Sequence, residues 1–216
     1  MKRNLVFIRH GKVDLPYATH GDMPFSVLNE LATQRLDPSS DKSFFKLHSK
    51  YFEDLFTQFT FTSLFRSSSK RCATLETYTQ SLIPGYSLTS HGISELSEIT
   101  FDLDILFKGN QQVNVADIND TFFDALFSHQ PGIEVLEDVV ERIKVGLDKL
   151  PSSGNTLILT HGYLMEMIAA YITTLRSGEP LTKELVKTVP AFGYFDGFVV
   201  NEENVVTYIS TKTKGI

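Results

Sequence analysis

Two histidines in this chain occupy the same kind of position, each between a short apolar segment and a glycine. The segments read LVFIRHG at residues 5–11 and LILTHG at residues 157–162. In parallel α/β sheets ligands bind beyond the carboxyl ends of strands, and a glycine there lets the backbone turn sharply and approach a ligand. Either histidine alone could simply cap a strand or hydrogen-bond inside a loop. The pair, with Arg9 beside His10, indicates one shared site.

Arginines near these strand ends are suited to holding a phosphate. A guanidinium group binds phosphate through two parallel hydrogen bonds and does not lose its charge. Arg9 adjoins His10, and Lys70 and Arg71 follow another predicted strand, so both sets could face one crevice. Transfer of a phosphoryl group to an imidazole nitrogen needs such cations beside a deprotonated nitrogen. The alternative for Arg71 is a solvated charge at the start of a helix.

The elements that position these residues follow from the hydrophobic pattern. Uninterrupted apolar residues predict buried parallel strands at 4–8 and 156–160, and β-branched and aromatic residues predict a strand at 59–65. Closing strands are predicted at 194–200 and 205–209, as a hairpin around residues 201–204.

Helical spacing of apolar residues alternates with these strands. The predicted helices cover residues 27–36, 42–58, 70–83, 115–127, 135–150 and 163–175. Pro84-Gly85 is expected to end the third of them, and Asp138 and Arg142 are spaced to pair on the exposed face of the fifth. Residues 86–113 have little clear period. The alternation predicts an α/β fold, a three-layer α/β/α sandwich with a mainly parallel sheet.

Composition limits the class of protein. The 216 residues are 42% hydrophobic and 21% charged, which suits one folded domain over 1–216. A net charge of −6 argues against a nucleic-acid partner. The single cysteine, Cys72, excludes an intramolecular disulfide and fits a reducing cytoplasm. Because we find no leader and no apolar run of about 20 residues, we expect a soluble, cytoplasmic protein without a membrane partner.

Five segments, in this order along the chain, resemble motifs of the histidine phosphatase superfamily, the phosphoglycerate-mutase-like proteins. The first is the Arg9-His10-Gly11 signature. Residues 67–72 are similar to its Ser-Ser-x-x-Arg-Ala segment, 96–102 to Leu-x-Glu-x-x-Phe-Gly, and 131–139 to a Gly-Glu-Ser stretch that opens a helix. Thr160-His161-Gly162 matches the second histidine. The resemblance covers most of residues 5–170 and implies a phosphoglycerate-mutase-like fold.

The resemblance also implies roles for individual residues. His10 would attack phosphorus and become phosphohistidine, and water would then release phosphate. Glu98 would protonate the leaving alcohol and later act as base toward water, for which it needs a raised pKa. His161 would assist this chemistry. The phosphate ligands would be Arg9, Arg71, His161 and Gly162. No metal or cofactor is required.

Departures from the family pattern leave some assignments open. Val13 and Pro16 stand where the family usually has a threonine and an asparagine, so one neutral phosphate contact is in doubt. Leu75 replaces a threonine after the second arginine, which leaves Arg66 as an alternative to Arg71. Asp102 and Ile133 each replace a glycine.

Each of three further residues near the motifs has two interpretations. Glu95 competes with Glu98 as the acid. His20 is either a loop residue or a substrate contact. Cys72, beside Lys70 and Arg71, is either a thiol with a lowered pKa or, as we expect, a small core residue.

The function predicted from these residues is that of a metal-independent phosphomonoesterase, a phosphoric monoester hydrolase acting on a small phosphorylated metabolite. A mutase is the nearest alternative, although the additional substrate-binding sequence of the resembling mutases is not found in residues 12–35 or 100–125. A catalytically silent relative that binds a phosphorylated ligand is a second alternative, and a phosphoprotein phosphatase a third. The physiological substrate and the oligomeric state stay open.

Overall fold

A six-stranded sheet organises the computed structural model, which describes residues 2–82, 88–110 and 113–211. Its strands are β1 (Arg3–Arg9), β2 (Phe61–Ser67), β3 (Ser90–Ile93), β4 (Gly154–Thr160), β5 (Gly197–Asn201) and β6 (Val206–Ile209). The order across the sheet is β3-β2-β4-β1-β5-β6. The first four are parallel neighbours, and β5 and β6 are added as an antiparallel hairpin. This agrees with the predicted, mainly parallel sheet.

Helices flank the sheet. They are α1 (Phe25–Ala32), α2 (Lys42–Leu47), α3 (Ser49–Gln58), α4 (Lys70–Ser81), α5 (Leu103–Leu106), α6 (Val115–Phe127), α7 (Leu136–Asp148), α8 (Gly162–Ser177) and α9 (Lys183–Thr188). Within the described ranges, no helix is both long and apolar enough to cross a membrane.

Side chains of β1 show why the chain forms three layers. Leu5 and Phe7 belong to one buried cluster, with residues of α6, α7 and α8. Val6 and Ile8 point to the opposite face and belong to a second cluster, with residues of α3 and α4. Both faces of the strand are therefore covered, which is the reason that its sequence is continuously apolar instead of alternating.

Several predicted boundaries differ from the observed ones. The helix expected over 42–58 is interrupted at His48, whose backbone leaves the helical range and whose ring Nδ1 lies 2.9 Å from the carbonyl oxygen of Phe44. The strand expected over 194–200 begins only at Gly197, because Phe195 has a left-handed backbone with φ of 63°. The strand expected over 59–65 is shifted to 61–67.

Three short elements, β3, α5 and α9, have no counterpart among the predictions, since four to six residues give too few positions to establish a period. The predicted helix stop at Pro84-Gly85 lies outside the described residues.

The expected Asp138–Arg142 pair is wrong. The Arg142 guanidinium instead binds the Glu134 carboxylate, with Nε 2.6 Å from Oε1 and Nη2 3.1 Å from Oε2. Glu134 precedes α7 and is held beside this helix because its backbone N–H donates to the carbonyl oxygen of Thr100 at 2.9 Å. The hydrogen bond between Glu134 and Thr100, which lie in two loops, brings Glu134 within reach of Arg142. Arg142 therefore pairs with Glu134 and not with Asp138, its neighbour at helical spacing.

Candidate active site

His10 lies directly after β1, at the edge of the sheet where β1, β2 and β4 end. Its backbone N–H donates to the carbonyl oxygen of Thr160 at 2.9 Å, which continues the β1–β4 pairing by one residue. The ring is buried, and its Nδ1 lies 2.7 Å from the carbonyl oxygen of Gly11. This contact requires the proton on Nδ1, so Nε2 carries the free electron pair. Burial, Arg71 and Arg9 hold the pKa of His10 well below its usual value.

Gly11 is required here by packing. A Cβ at this position would lie 2.5 Å from the ring of Phe195, closer than side chains approach one another. Any larger residue would therefore displace His10 or the buried phenylalanine.

His161 occupies the equivalent position after β4. Its ring centroid is 5.0 Å from that of His10, and the side chain is buried. Nε2 lies 2.9 Å from the hydroxyl oxygen of Ser67, at the end of β2. Burial, Arg71 and His10 lower the pKa of His161 well below its usual value, so this imidazole is also neutral.

Arg71, in the first turn of α4, joins the two histidines. Its Nε donates to His10 Nε2 and to His161 Nδ1, each at 3.2 Å. Nη1 pairs with the Asp37 carboxylate at 3.2 Å, and the whole side chain is buried. Arg66, the alternative, instead binds the Glu76 carboxylate and the Ser67 carbonyl. The structure thus brings Arg71, and not Arg66, to the histidines.

Arg9 contributes a second cation to the same cavity. Its guanidinium carbon lies 4.9 Å from the centre of the Tyr194 ring, and Nη1 donates to the carbonyl oxygen of Phe192. Its buried Nε has no hydrogen-bond partner in the described part of the chain. Gly162 lies against this guanidinium, since a Cβ there would be 3.3 Å from Nε. An unsatisfied buried donor facing a cavity is available to an anion.

Glu98 lies in the segment between β3 and α5 and lines the same cavity. Its Oε1 accepts from the backbone N–H groups of Leu164 at 2.9 Å and Ile99 at 3.0 Å. Burial raises the pKa of this carboxyl even though both donors, Arg71 and Arg9 act against it. Glu95, the alternative, binds Lys149 at 2.7 Å instead and does not line the cavity.

His20 also lines the cavity, which has a volume of about 800 Å³. Its Nε2 lies 3.4 Å from the hydroxyl oxygen of Tyr194. Burial, Arg9 and Arg71 lower the pKa of His20 to about 4, so it presents a neutral ring. Val13, buried where the family has a threonine, offers only an apolar surface to this cavity.

Three residues of the site have no counterpart in the sequence predictions: Asp37, Tyr194 and Glu166. Asp37 and Tyr194 belong to irregular segments, where spacing gives no signal. Glu166 had a signal, because it is a lone acid in the nearly apolar helix α8. It is 8% exposed, and burial and Glu98 raise its pKa to about 8.

Cys72 is buried on α4, as expected of a core residue. Burial raises the pKa of its thiol to about 11, whereas an activated thiolate needs a lowered pKa.

Comparison with known proteins identifies the fold. No family model matches the sequence, and no curated protein is significantly similar to it. The structure is similar to the phosphoglycerate mutase from Bacillus anthracis, with a TM-score of 0.66, 15% identity and coverage of 97% of this chain and 92% of that one. The chain therefore has a phosphoglycerate-mutase-like α/β fold, which confirms the predicted fold class.

Phosphatases are also among the similar structures. The alpha-ribazole phosphatase from Shigella flexneri has a TM-score of 0.64 and 14% identity, with coverage of 95% of this chain and 94% of that one. The mycobacterial glucosyl-3-phosphoglycerate phosphatase has a TM-score of 0.61 and 13% identity, with coverage of 96% of both chains. The fold is therefore shared by phosphatases and mutases.

Proposed function

We propose that this chain hydrolyses a small phosphorylated metabolite through a phosphohistidine formed on His10. The observation that carries the proposal is the geometry at His10, where Nδ1 lies 2.7 Å from the Gly11 carbonyl oxygen and Nε2 accepts from Arg71 Nε at 3.2 Å, in a cavity that Arg9 and Glu98 also line. A nucleophilic nitrogen, cations for the phosphoryl oxygens and a carboxyl with a raised pKa are the groups that this reaction needs.

In the first step, His10 Nε2 forms a bond to phosphorus while the bond between phosphorus and the ester oxygen breaks. The departing oxygen takes a proton from the Glu98 carboxyl and leaves as an alcohol. Arg71 and Arg9 stabilise the charge on the phosphoryl oxygens, with the backbone of Gly162 as a further ligand, and His161 positions Arg71 through its Nδ1. The proton on Nδ1 of His10 stays hydrogen-bonded to Gly11 and keeps the ring oriented.

In the second step, a water oxygen attacks phosphorus and the nitrogen–phosphorus bond breaks. The Glu98 carboxylate accepts the proton of that water, which restores the acid. Phosphate leaves and His10 is again neutral. The same carboxyl therefore acts first as acid and then as base.

The charges lining the cavity favour a phosphatase over a mutase. A mutase must hold a second anionic group of its substrate beside the transferred phosphate. Beyond Arg9 and Arg71, the lining of the described cavity contains one more cation, Lys187, and its ammonium is bound to Asp124 at 2.7 Å. Asp120 on α6 also lines the cavity, and its carboxylate repels a second anion.

The test is phosphate release from an aryl phosphate at pH 5 to 8 with excess chelator. We expect the intact chain to release phosphate and the variant His10→Ala to lose activity by at least about a thousandfold. His91→Ala, at an exposed histidine on β3, is the matched control and should keep full activity. Binding of phosphate without turnover would contradict the proposal and support a silent binding protein, and isomerisation of phosphoglycerate without net release would support a mutase.

A further inference from the structure

The cavity continues beyond the phosphate-binding groups between two walls that are mostly apolar. Leu28 and Leu31 line it from α1, and Val115 and Ile118 line it from α6. Its polar lining includes the arginines, His10, Glu98 and Glu166, and on α6 the exposed residues Asn119 and Asp120. A ligand of this cavity must therefore match two very different surfaces.

Hydrogen bonds place the apolar walls next to the acid. The Gln34 amide, just after α1, donates to the carbonyl oxygen of Glu98 at 2.8 Å. The hydroxyl of Tyr163, one residue after Gly162, donates to Asn119 on α6. The first bond connects the end of α1 to Glu98 itself. The second connects α6 to Tyr163, the neighbour of Leu164, whose N–H donates to the Glu98 carboxylate. The space between α1 and α6 therefore lies in the same cavity as Glu98, the acid assigned to the departing alcohol.

Part of the apolar surface that α1 and α6 present to the cavity is separate from the protein core. Leu31 and Val115 are half-buried and line the cavity, yet among the described residues neither belongs to nor packs against the two core clusters. Their side chains are consequently not needed to complete the interior. Apolar groups presented to a cavity in this way gain free energy when a ligand removes them from water.

Charge selects against a polar or anionic body. Asp120 presents a carboxylate from α6, and Lys187 is already bound to Asp124. Along α1 the lining residues are Leu28, Leu31 and Ala32, so the hydroxyl groups of a sugar or the carboxylate of an acid would find no side-chain partner there and would lose their contacts with water.

We propose that the leaving group is an uncharged, largely apolar alcohol whose carbon body occupies the space between α1 and α6. This inference rests on the proposed phosphatase function, and it names the class of substrate: phosphomonoesters of apolar alcohols, not of sugars or hydroxy acids.

Primary alkyl phosphates test this inference, because their leaving alcohols differ little in intrinsic reactivity. We expect kcat/KM to rise on the order of a hundredfold from ethyl to hexyl phosphate, since each buried methylene contributes about 0.8 kcal/mol. Propyl phosphate should be a better substrate than glycerol 1-phosphate, which adds only two hydroxyls, and 3-phosphoglycerate should be the poorest. A flat chain-length series, or a preference for glycerol 1-phosphate, would overturn the inference.

Substitutions of residues that line the cavity from α1 and α6 show where the preference for longer alkyl chains arises. Leu31→Gln and Val115→Thr keep the size of the side chain but add polarity, and each should reduce the preference for hexyl over ethyl phosphate several-fold. Leu47→Gln, at a leucine of α2 that is 75% exposed, is the control and should leave the preference unchanged. Equal effects of all three substitutions would argue against the assigned walls.

Binding of alkylphosphonates, which are not hydrolysed, separates failure of the inference from failure of the proposed function. If the chain does not hydrolyse esters but binds hexylphosphonate much more tightly than ethylphosphonate in a calorimeter, the phosphatase proposal fails and the apolar site stands. If turnover depends on His10 but both series are flat, the phosphatase stands and the inference fails. Absence of any phosphonate binding overturns the inference as well.

Discussion

The Glu98 carboxyl is under opposing influences at the scale of a single residue. Burial raises its pKa, while two backbone N–H groups and two arginines favour the charged form. The net shift is upward, so a larger share of the carboxyl keeps its proton near neutral pH than in an exposed glutamate. A proton donor to an alcohol needs this property, whereas a donor to a good leaving group is dispensable.

Glu98→Gln should therefore lower the rate of phosphorylation by alkyl phosphates about 10²- to 10⁴-fold. The same substitution should have a much smaller effect on the burst of p-nitrophenol from its phosphate, because that leaving group needs no proton. Rapid-mixing measurements of both substrates give the comparison. Glu95→Gln is the matched control, and an equal loss in that variant would contradict the assignment.

Glu166 makes the stability of the fold depend on pH. Its pKa is about 8 in the folded chain against an ordinary value of 4.5, so between these values the folded state binds the proton more strongly than the unfolded state. The contribution to stability is complete below pH 4.5 and is lost as pH rises toward about 8. The buried histidines act in the opposite sense, but only below their ordinary pKa of 6.5.

We expect Glu166→Gln to be more stable than the parent chain at pH 9, on the order of 3 kcal/mol in the free energy of unfolding, with little difference at pH 5. Urea unfolding at pH 7, 8 and 9 follows the difference. Glu141→Gln, at an exposed glutamate of α7, serves as control. A constant difference at all three pH values would mean that Glu166 does not titrate in this range.

At the scale of elements, hydrogen bonds from α7 and the loop before it hold the segment that carries Glu98. Arg142 on α7 donates to the carbonyl oxygens of Glu95 at 3.0 Å and Ser97 at 2.7 Å, and it also binds Glu134. Glu134 in turn accepts from the backbone N–H of Thr100 at 3.2 Å. The position of the acid thus depends on a helix and a loop that do not themselves line the cavity.

Arg142→Met should lower the free energy of unfolding by about 2 kcal/mol, because it leaves Glu134 and two carbonyl groups without a donor. It should also reduce turnover of alkyl phosphates more than that of p-nitrophenyl phosphate, since it displaces the acid. Lys144→Met, on the same helix with an exposed partner, should stay within about 0.5 kcal/mol of the parent. Equal loss on both substrates would indicate a general loss of structure instead.

At the scale of the whole molecule, the site exists only where the ends of β1, β2 and β4 meet. His10, Ser67 and His161 come from these three strands, and Arg71 contacts both histidines from the helix that follows β2. Unfolding separates these groups, so a phosphate held by them binds the folded state alone. Such a ligand stabilises the fold in proportion to its occupancy.

Inorganic phosphate at about a hundred times its dissociation constant should therefore raise the free energy of unfolding by about 2.7 kcal/mol. Arg71→Gln should abolish this increase. Arg66→Gln should be less stable without ligand, because Glu76 loses its ion-pair partner, but it should keep the full response to phosphate. Thermal unfolding with and without phosphate decides between the two arginines, and loss of the response in Arg66→Gln would reverse the assignment.

What the sequence by itself determined is local. Continuous apolar segments predicted β1 and β4, the ends of these strands predicted that His10 and His161 would meet, and helical spacing predicted α6 at its observed bounds, 115–127. These features depend on neighbouring residues and on the general geometry of parallel sheets. The motif resemblance likewise depends on short segments, and the fold class that it implied is the observed one.

Only the tertiary structure decided which of two nearby side chains reaches the cavity. Arg66 and Arg71 are close in sequence, as are Glu95 and Glu98, but strand register and loop packing bring Arg71 and Glu98 inward. The same holds for Glu166, which meets Glu98 in one cavity across a separation that no local pattern records. Side-chain direction at a loop or strand end is determined by contacts with distant segments, and these contacts form only when the sheet and its flanking helices assemble.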